Sequence, residues 1–151
     1  MVLGKEEIKN IIENCDLELK SANKISFSFD RKWSSSFPSA AGIYAIFDRG
    51  ALVYIGETAN LKERMKDVRR TINHTFRRKL GKKLFVNATI EKGKFNAIIE
   101  AKLDEYCQAN ITFTCKIVNY GRMEIESHLV HKNKGLLNSN SKRNKVDRIY
   151  G

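Results

Sequence analysis

The spacing of apolar residues predicts several helices along the chain. Apolar side chains recur every three or four positions over residues 5–22, 96–108 and 121–135, as on the buried face of an amphipathic helix. A further helix is predicted to begin after Asn60, because Asn is a favoured N-cap and Glu63 stands where a capping box requires an acidic residue. Helices are therefore expected at both ends of the chain and in its middle.

Two apolar, β-branched runs on either side of the Asp-Arg-Gly sequence at residues 48–50 predict a β-hairpin, with the glycine available for a positive φ. A three-residue loop would pair Phe47 with Ala51. The antiparallel register would then place Tyr44 directly opposite Tyr54. Both phenol rings are therefore expected on one face, at the open end of the hairpin.

The remaining extended segments complete a small α/β fold. Residues 111–118 alternate apolar with polar positions, with Ile111, Phe113, Cys115 and Ile117 expected to point inward. They are expected to join the hairpin as the third strand of an antiparallel sheet flanked by helices. Residues 25–29 predict another short strand. The expected organisation is an N-terminal helix and strand (1–40) packed on a core domain (41–140), followed by a polar, basic tail (141–151).

Two charged residues interrupt the apolar faces of predicted helices. Arg64 lies beside the apolar stripe expected to run through Leu61, Met65, Val68 and Ile72, and Glu126 is embedded between Ile125 and Leu129. An unpaired buried charge costs several kcal/mol, so each of these groups needs a partner. Either Arg64 and Glu126 form a salt bridge, or Arg64 faces a phosphate, to which the guanidinium fork is well suited.

The positive charge of the chain is concentrated in two segments. Of a net charge of +11, residues 62–94 carry +9 and residues 132–148 carry +5, so the rest of the chain is slightly acidic. Such a field attracts a phosphodiester backbone. A short helix is predicted over residues 74–81, ending at Gly81, with its basic side chains pointing outward. The residues predicted to contact nucleic acid are Arg69, Arg70, Arg77, Arg78, Lys79, Lys82 and Lys83.

The length and composition of the chain exclude several classes of protein. With 151 residues, of which 42% are hydrophobic, the chain can form about one domain with its own core. No apolar run is long enough to cross a bilayer and no leader segment is apparent, so a cytoplasmic protein without membrane contacts is expected. Cys15, Cys107 and Cys115 form neither a disulfide framework nor a zinc motif, and each fits an apolar pattern as a core thiol.

Five motif positions occur in a characteristic order. The tripeptide Gly-Ile-Tyr at residues 42–44 and the tripeptide Tyr-Ile-Gly at 54–56 are followed by Arg64, Glu126 and Asn138. Over about residues 40–140 this set resembles the GIY-YIG nuclease family. The resemblance implies a GIY-YIG-like catalytic layer and a divalent-metal-dependent endonuclease that hydrolyses DNA.

The resemblance also implies a role for each motif residue. Glu126 would bind one Mg²⁺ or Mn²⁺, and Arg64 would offset the charge that develops on the phosphate. Tyr44 would orient or deprotonate the attacking water, and Tyr54 would position the water or the phosphate. Asn138 would fix the geometry around Glu126 or contact the backbone.

Two departures from the family pattern leave alternatives open. Val68 stands one helical turn after the arginine, where the family often has His or Tyr, and His74 is the obvious substitute as an auxiliary catalytic residue. A histidine near a helix start is also typical of a capping residue. Glu57 replaces the Lys that follows the second tripeptide in the excision-repair branch. A nucleic-acid-binding module without catalytic activity and an RNA-processing nuclease are therefore the alternative functions. The oligomeric state is not specified by the sequence.

Overall fold

The structure is a computed structural model and describes residues 4–138. Those residues form four strands and five α-helices, together with a one-turn 3-10 helix at Trp33–Ser36. In chain order the elements are α1 (Lys5–Ser21), β1 (Ile25–Ser26), β2 (Gly42–Asp48), β3 (Ala51–Thr58), α2 (Leu61–Val68), α3 (Thr75–Leu84), α4 (Ala97–Asn110), β4 (Ile111–Ile117) and α5 (Arg122–Lys132). The expected tail, 141–151, lies outside the described residues.

The described strands form one antiparallel sheet in the order β1-β4-β2-β3. The mixed α/β class and the antiparallel sheet are as predicted from the sequence. The sheet has four strands instead of three, because Ile25 and Ser26 pair with Phe113 and Thr112. The short N-terminal strand therefore joins the sheet through β4.

Helices cover both faces of this sheet. Tyr44, Ile46 and Tyr54 pack with α2, α3 and α4 on one face. On the other face, Ile43 and Ile55 pack with α1 and α5. Because the two central strands are covered on both sides, successive residues of β2 are buried whichever way their side chains point.

The hairpin turn differs from the predicted turn. Asp48 pairs with Ala51, so the loop has two residues, and both Arg49 (φ 52°) and Gly50 (φ 83°) have positive φ. Two-residue hairpin loops favour this backbone because its twist matches that of the strands. A bulge next to Ile46 then shifts the register, so that the prediction of a direct Tyr44–Tyr54 pair is wrong.

Three other expectations also need correction. Ile72 was expected to continue the apolar stripe of α2, but it lies beyond the end of that helix and is 54% exposed. Gly81 does not end α3, which continues to Leu84. A Cβ at Gly81 would overlap the ring of Phe95, so the glycine permits close packing. Ile117, expected to point inward, is half exposed at the end of β4.

The described residues include no helix with the length and hydropathy needed to span a membrane. Cys15 and Cys107 are buried and Cys115 is partly buried, and all three are free thiols. Burial raises the pKa of Cys15 to about 11 and that of Cys107 to about 12. These two thiols are therefore protonated near neutral pH, as expected of core residues.

Candidate active site

The two tyrosines of the motif lie on one face of the hairpin, as predicted, but diagonally rather than directly opposite. Tyr44 pairs with Gly56, and Tyr54 pairs with Ile46. The two phenol rings stack with their centroids 6.3 Å apart and their planes 15° from parallel. A Cβ at Gly56 would overlap the ring of Tyr44. The glycine of the second tripeptide therefore leaves the space that the tyrosine of the first one occupies.

The glycine of the first tripeptide has a similar steric role. A Cβ at Gly42 would overlap the side chain of Leu61 and the carbonyl oxygen of Lys116. The backbone N–H of Leu61 also donates a hydrogen bond to the carbonyl of Ala40 at 2.8 Å. These contacts fix the first residue of α2 against the start of β2, and thereby fix the direction of the helix that carries Arg64.

Arg64 lies at the edge of the apolar face of α2. The predicted cap is present, because the side-chain oxygen of Asn60 accepts a hydrogen bond from the Glu63 N–H at 3.1 Å. The Arg64 guanidinium is 3.4 Å from a carboxylate oxygen of Asp67 and also interacts with the hydroxyl of Tyr44. The side chain of Arg64 remains about one-third exposed, so it can still reach a ligand.

His74 is the N-cap of α3 and contacts Tyr44. Its Nδ1 accepts a hydrogen bond from the Phe76 N–H at 3.0 Å, so that nitrogen carries no proton. In the neutral ring the proton is therefore on Nε2, which donates to the Tyr44 hydroxyl oxygen at 2.6 Å. Burial, together with the positive charges of Arg64 and Arg78, lowers the pKa of His74 to about 3. His74 is thus a neutral hydrogen-bond donor, with no free lone pair for a general base.

The next residue of α3 contacts the second tyrosine. The hydroxyl groups of Thr75 and Tyr54 share a hydrogen bond of 2.9 Å. The N-terminus of α3 therefore holds both phenols, Tyr44 through His74 and Tyr54 through Thr75. Sequence reasoning missed Thr75, because a single threonine after a capping residue carries no distinctive signal.

Burial of the Tyr44 phenol raises its pKa, and the neighbouring Tyr54 and Glu126 raise it further. Arg64 acts in the opposite direction, through its positive charge and its hydrogen bond. The phenol is therefore protonated in the free protein. Its oxygen faces two donors, His74 and Arg64, which would stabilise negative charge on it.

Glu126 is buried, as expected from its position in an apolar stripe, and only 4% of its surface is exposed. Its helix, α5, begins at Gly121 (φ 67°) and packs against β3. Glu57, the residue after the second tripeptide, lies 3.3 Å from the Arg122 guanidinium in the first turn of α5. This ion pair holds α5 against the strand that carries the motif.

Asn138 connects the segment after α5 to the same strand. Its Nδ2 donates a hydrogen bond to the carbonyl of Ile55 at 2.5 Å. The adjacent Leu137 N–H donates to the carbonyl of Val53 at 2.8 Å. These two hydrogen bonds attach the segment after α5 to the backbone of β3.

The oxygen donors near Tyr44 suit a hard divalent cation that keeps most of its water ligands. Among residues 4–138 there is no group of three His, Cys, Asp or Glu side chains that could bind a metal without other ligands. Mg²⁺ and Mn²⁺ do not need such a cage, because one carboxylate together with water and substrate phosphate can suffice. Glu126 fits that requirement as a buried carboxylate whose charge acts on Tyr44.

The basic residues fall into two groups. Arg70, Lys82 and Lys83 are exposed, and Arg78 and Lys79 are partly exposed. Arg77 is the exception to the expectation that the bases of α3 point outward. It is 1% exposed, and its guanidinium lies 2.9 Å from Glu100 and 2.6 Å from Asp104 on α4. Arg77 therefore joins α3 to α4. Because its side chain is buried, the prediction that it contacts nucleic acid is wrong.

A comparison with protein families identifies the family of the chain. The family model described as the GIY-YIG catalytic domain matches residues 36–150. The match covers most of the chain, which therefore belongs to the GIY-YIG nuclease superfamily. No curated protein and no solved structure matches the chain.

Proposed function

We propose that the protein is a divalent-metal-dependent endonuclease that hydrolyses DNA phosphodiester bonds. The observation that carries the proposal is the environment of Tyr44. Its phenol oxygen accepts a hydrogen bond from His74, interacts with Arg64 and is acted on by the charge of the buried Glu126. A module that only binds nucleic acid has no need of a buried carboxylate beside a phosphate site.

Tyr44 orients the attacking water and, as the phenolate that remains once its own proton has passed to solvent, accepts a proton from that water. Burial raises the pKa of this phenol above its ordinary value of about 10, so the phenolate forms near neutral pH only if nearby donors and positive charge stabilise it. The Nε2–H of His74 and the guanidinium of Arg64 both donate toward this oxygen. They remain in place before and after proton transfer, so little reorganisation is required.

The other motif residues act on the phosphate. Glu126 would hold Mg²⁺ or Mn²⁺, and that ion would supply positive charge for the scissile phosphate and the leaving alkoxide. The Arg64 guanidinium offsets charge on the reacting phosphate oxygens. Tyr54, fixed by Thr75, positions the water or the phosphate, and Asn138 keeps the carbonyl of Ile55 in place.

We propose DNA rather than RNA as the substrate because DNA is the usual substrate of the family. A cytoplasmic location remains a prediction. Away from the reacting phosphate, the exposed bases of α3 supply electrostatic affinity for the backbone without reading sequence. They are Arg78, Lys79, Lys82 and Lys83.

The proposal is tested by incubating supercoiled plasmid with the protein and Mg²⁺ or Mn²⁺ and mapping the ends that form. Nicked or linear DNA in the presence of metal, and its absence with EDTA, is the expected result. A matched structured RNA is tested in parallel. Cleavage of RNA alone would assign the RNA-processing function, and binding without cleavage of either would assign the non-catalytic module.

A further inference from the structure

A cleft of about 300 Å³ lies beside the segment that connects α2 to α3. Its walls include Phe29, Arg70, Ile72 and Lys94. Ile72 and His74 are two residues apart, so their Cα atoms are separated by at most about 7 Å. The cleft therefore lies beside the same short connection that carries His74, the hydrogen-bond partner of Tyr44.

The floor of the cleft is a network whose acidic groups are already paired. Glu100 and Asp104 form the ion pairs with Arg77, and the Thr71 hydroxyl donates to Glu100 at 2.7 Å. The second carboxylate oxygen of Glu100 accepts from the Phe95 N–H at 3.0 Å. The floor is therefore held in place by these contacts, and its two carboxylates against one guanidinium leave a formal charge of about −1, which the cations of the rim outweigh.

The rim of the cleft is cationic. Arg69 and Arg70 are adjacent in the chain, and the pKa of Arg69 is lowered by burial and by the neighbouring charge of Arg70. Within residues 4–138, neither Arg70 nor Lys94 forms an ion pair with a carboxylate. Exposed cations grouped around a cleft favour an anionic ligand.

An aromatic ring stands at the same rim in a fixed position. Phe29 is 41% exposed, and its ring packs edge-on against the buried Phe27 at 5.0 Å. The Arg69 guanidinium donates hydrogen bonds to the carbonyls of Ser28 and Asp30, the residues on either side of Phe29. The Phe29 ring is thus held in place while part of it remains open to a flat ligand.

A fixed aromatic ring beside unpaired cations is the combination with which proteins bind single nucleotides of an unpaired strand. We propose that this cleft binds one unpaired nucleotide of the nucleic-acid substrate close to the scissile phosphate, with the base against Phe29 and the phosphate between Arg70 and Lys94. This inference rests on the proposed function, because it assumes a nucleic-acid substrate at the neighbouring site. It would direct the enzyme to flaps, gaps or frayed ends in preference to continuous duplex.

The test compares the affinities of two fluorescent DNA probes in the absence of metal, by anisotropy. One probe is a continuous duplex, and the other is the same duplex with a three-nucleotide single-stranded flap. Phe29→Leu keeps an apolar contact with Phe27 but removes the aromatic face. We expect it to weaken binding of the flapped probe by about 5- to 100-fold, the range for loss of one stacked base, and to leave duplex binding within about twofold.

The role of the two cations is tested with the double variant Arg70→Ala/Lys94→Ala. The control is Lys5→Ala/Lys9→Ala, which removes the same amount of charge from α1. Only the first pair is expected to reduce the preference for the flap. Phe29→Trp should preserve that preference and shows whether the site tolerates substitution. Equal losses on both probes, or an unchanged preference in Phe29→Leu, would overturn the proposal. This test does not measure cleavage. A protein that prefers the flapped probe but never cleaves DNA would therefore support the nucleotide-binding cleft and contradict only the proposed nuclease function.

Discussion

His74 and Tyr44, thirty residues apart in the chain, are joined by a 2.6 Å hydrogen bond in which the imidazole is the donor. The direction of this hydrogen bond follows from the other ring nitrogen, which accepts a hydrogen bond from the Phe76 N–H at the start of α3. Capping a helix therefore fixes the tautomer of a residue at the candidate active site. Because His74 is buried in its neutral form, the free energy of unfolding depends on pH.

We predict that the free energy of unfolding decreases as the pH falls below about 6.5. The folded-state pKa of His74, about 3, lies below its ordinary value of 6.5 because of burial and nearby positive charge. Between these values the unfolded chain binds a proton that the folded protein excludes, so stability is lost as the pH falls. At pH 5 the loss is about 2 kcal/mol relative to pH 7.5.

Urea unfolding from pH 7.5 to pH 5 measures this loss. His74→Gln has no imidazole at this position, and its unfolding free energy should vary less over that range. An equal pH dependence in the variant and the unaltered protein would assign the effect to other groups.

We predict that Arg64→Ala slows cleavage more than it weakens binding. Arg64 is held beside Tyr44, while the exposed bases supply most of the affinity. Loss of a charge-stabilising donor at a reacting group typically costs about 10²- to 10³-fold in rate. Single-turnover rates at saturating protein give the comparison, and Lys82→Ala/Lys83→Ala should show the reverse pattern. An unchanged rate in Arg64→Ala would indicate that Arg64 has only a structural role, through its ion pair with Asp67.

We predict that Gly56→Ala displaces Tyr44. The added Cβ would occupy the space of the phenol ring, and overpacking of this kind costs about 1–3 kcal/mol. Urea unfolding should show that loss, and cleavage should fall with it. Gly4→Ala, where the new Cβ meets only the end of a glutamate side chain, is the matched control. Wild-type stability and activity in Gly56→Ala would show that the ring has another position available.

We predict that Arg77 and the exposed bases of α3 have separable roles. Arg77→Ala removes a buried guanidinium that joins the partly exposed carboxylates of Glu100 and Asp104, and it should destabilise the fold by about 1–3 kcal/mol. Replacing Arg78, Lys79, Lys82 and Lys83 together by Ala should instead flatten the salt dependence of DNA binding, by about 0.9 in log–log slope for each phosphate that the variant no longer neutralises. Binding isotherms across a salt series measure this slope, and an unchanged slope would locate the DNA elsewhere.

Local patterns in the sequence were sufficient for much of the fold and part of the site. The capped start of α2 and the burial of Glu126 each follow from spacing within one helix, and the shared face of Tyr44 and Tyr54 follows from spacing within one hairpin. The turn was misjudged because Arg49 has a positive φ, which is uncommon for residues other than glycine. The burial of Arg77 depends on acidic partners on α4, more than twenty residues away. Long-range contacts of this kind leave no periodic signal.

The central claim is that Glu126 is the carboxylate on which catalysis depends. Single-turnover cleavage of plasmid DNA in Mg²⁺ by Glu126→Gln and by Glu124→Gln, a change on the same helix, tests it most directly. We expect a loss of about 10²-fold or more for Glu126→Gln with DNA affinity in EDTA retained or increased, and near-normal cleavage by Glu124→Gln. Full cleavage by Glu126→Gln, or a comparable loss in Glu124→Gln, would contradict it.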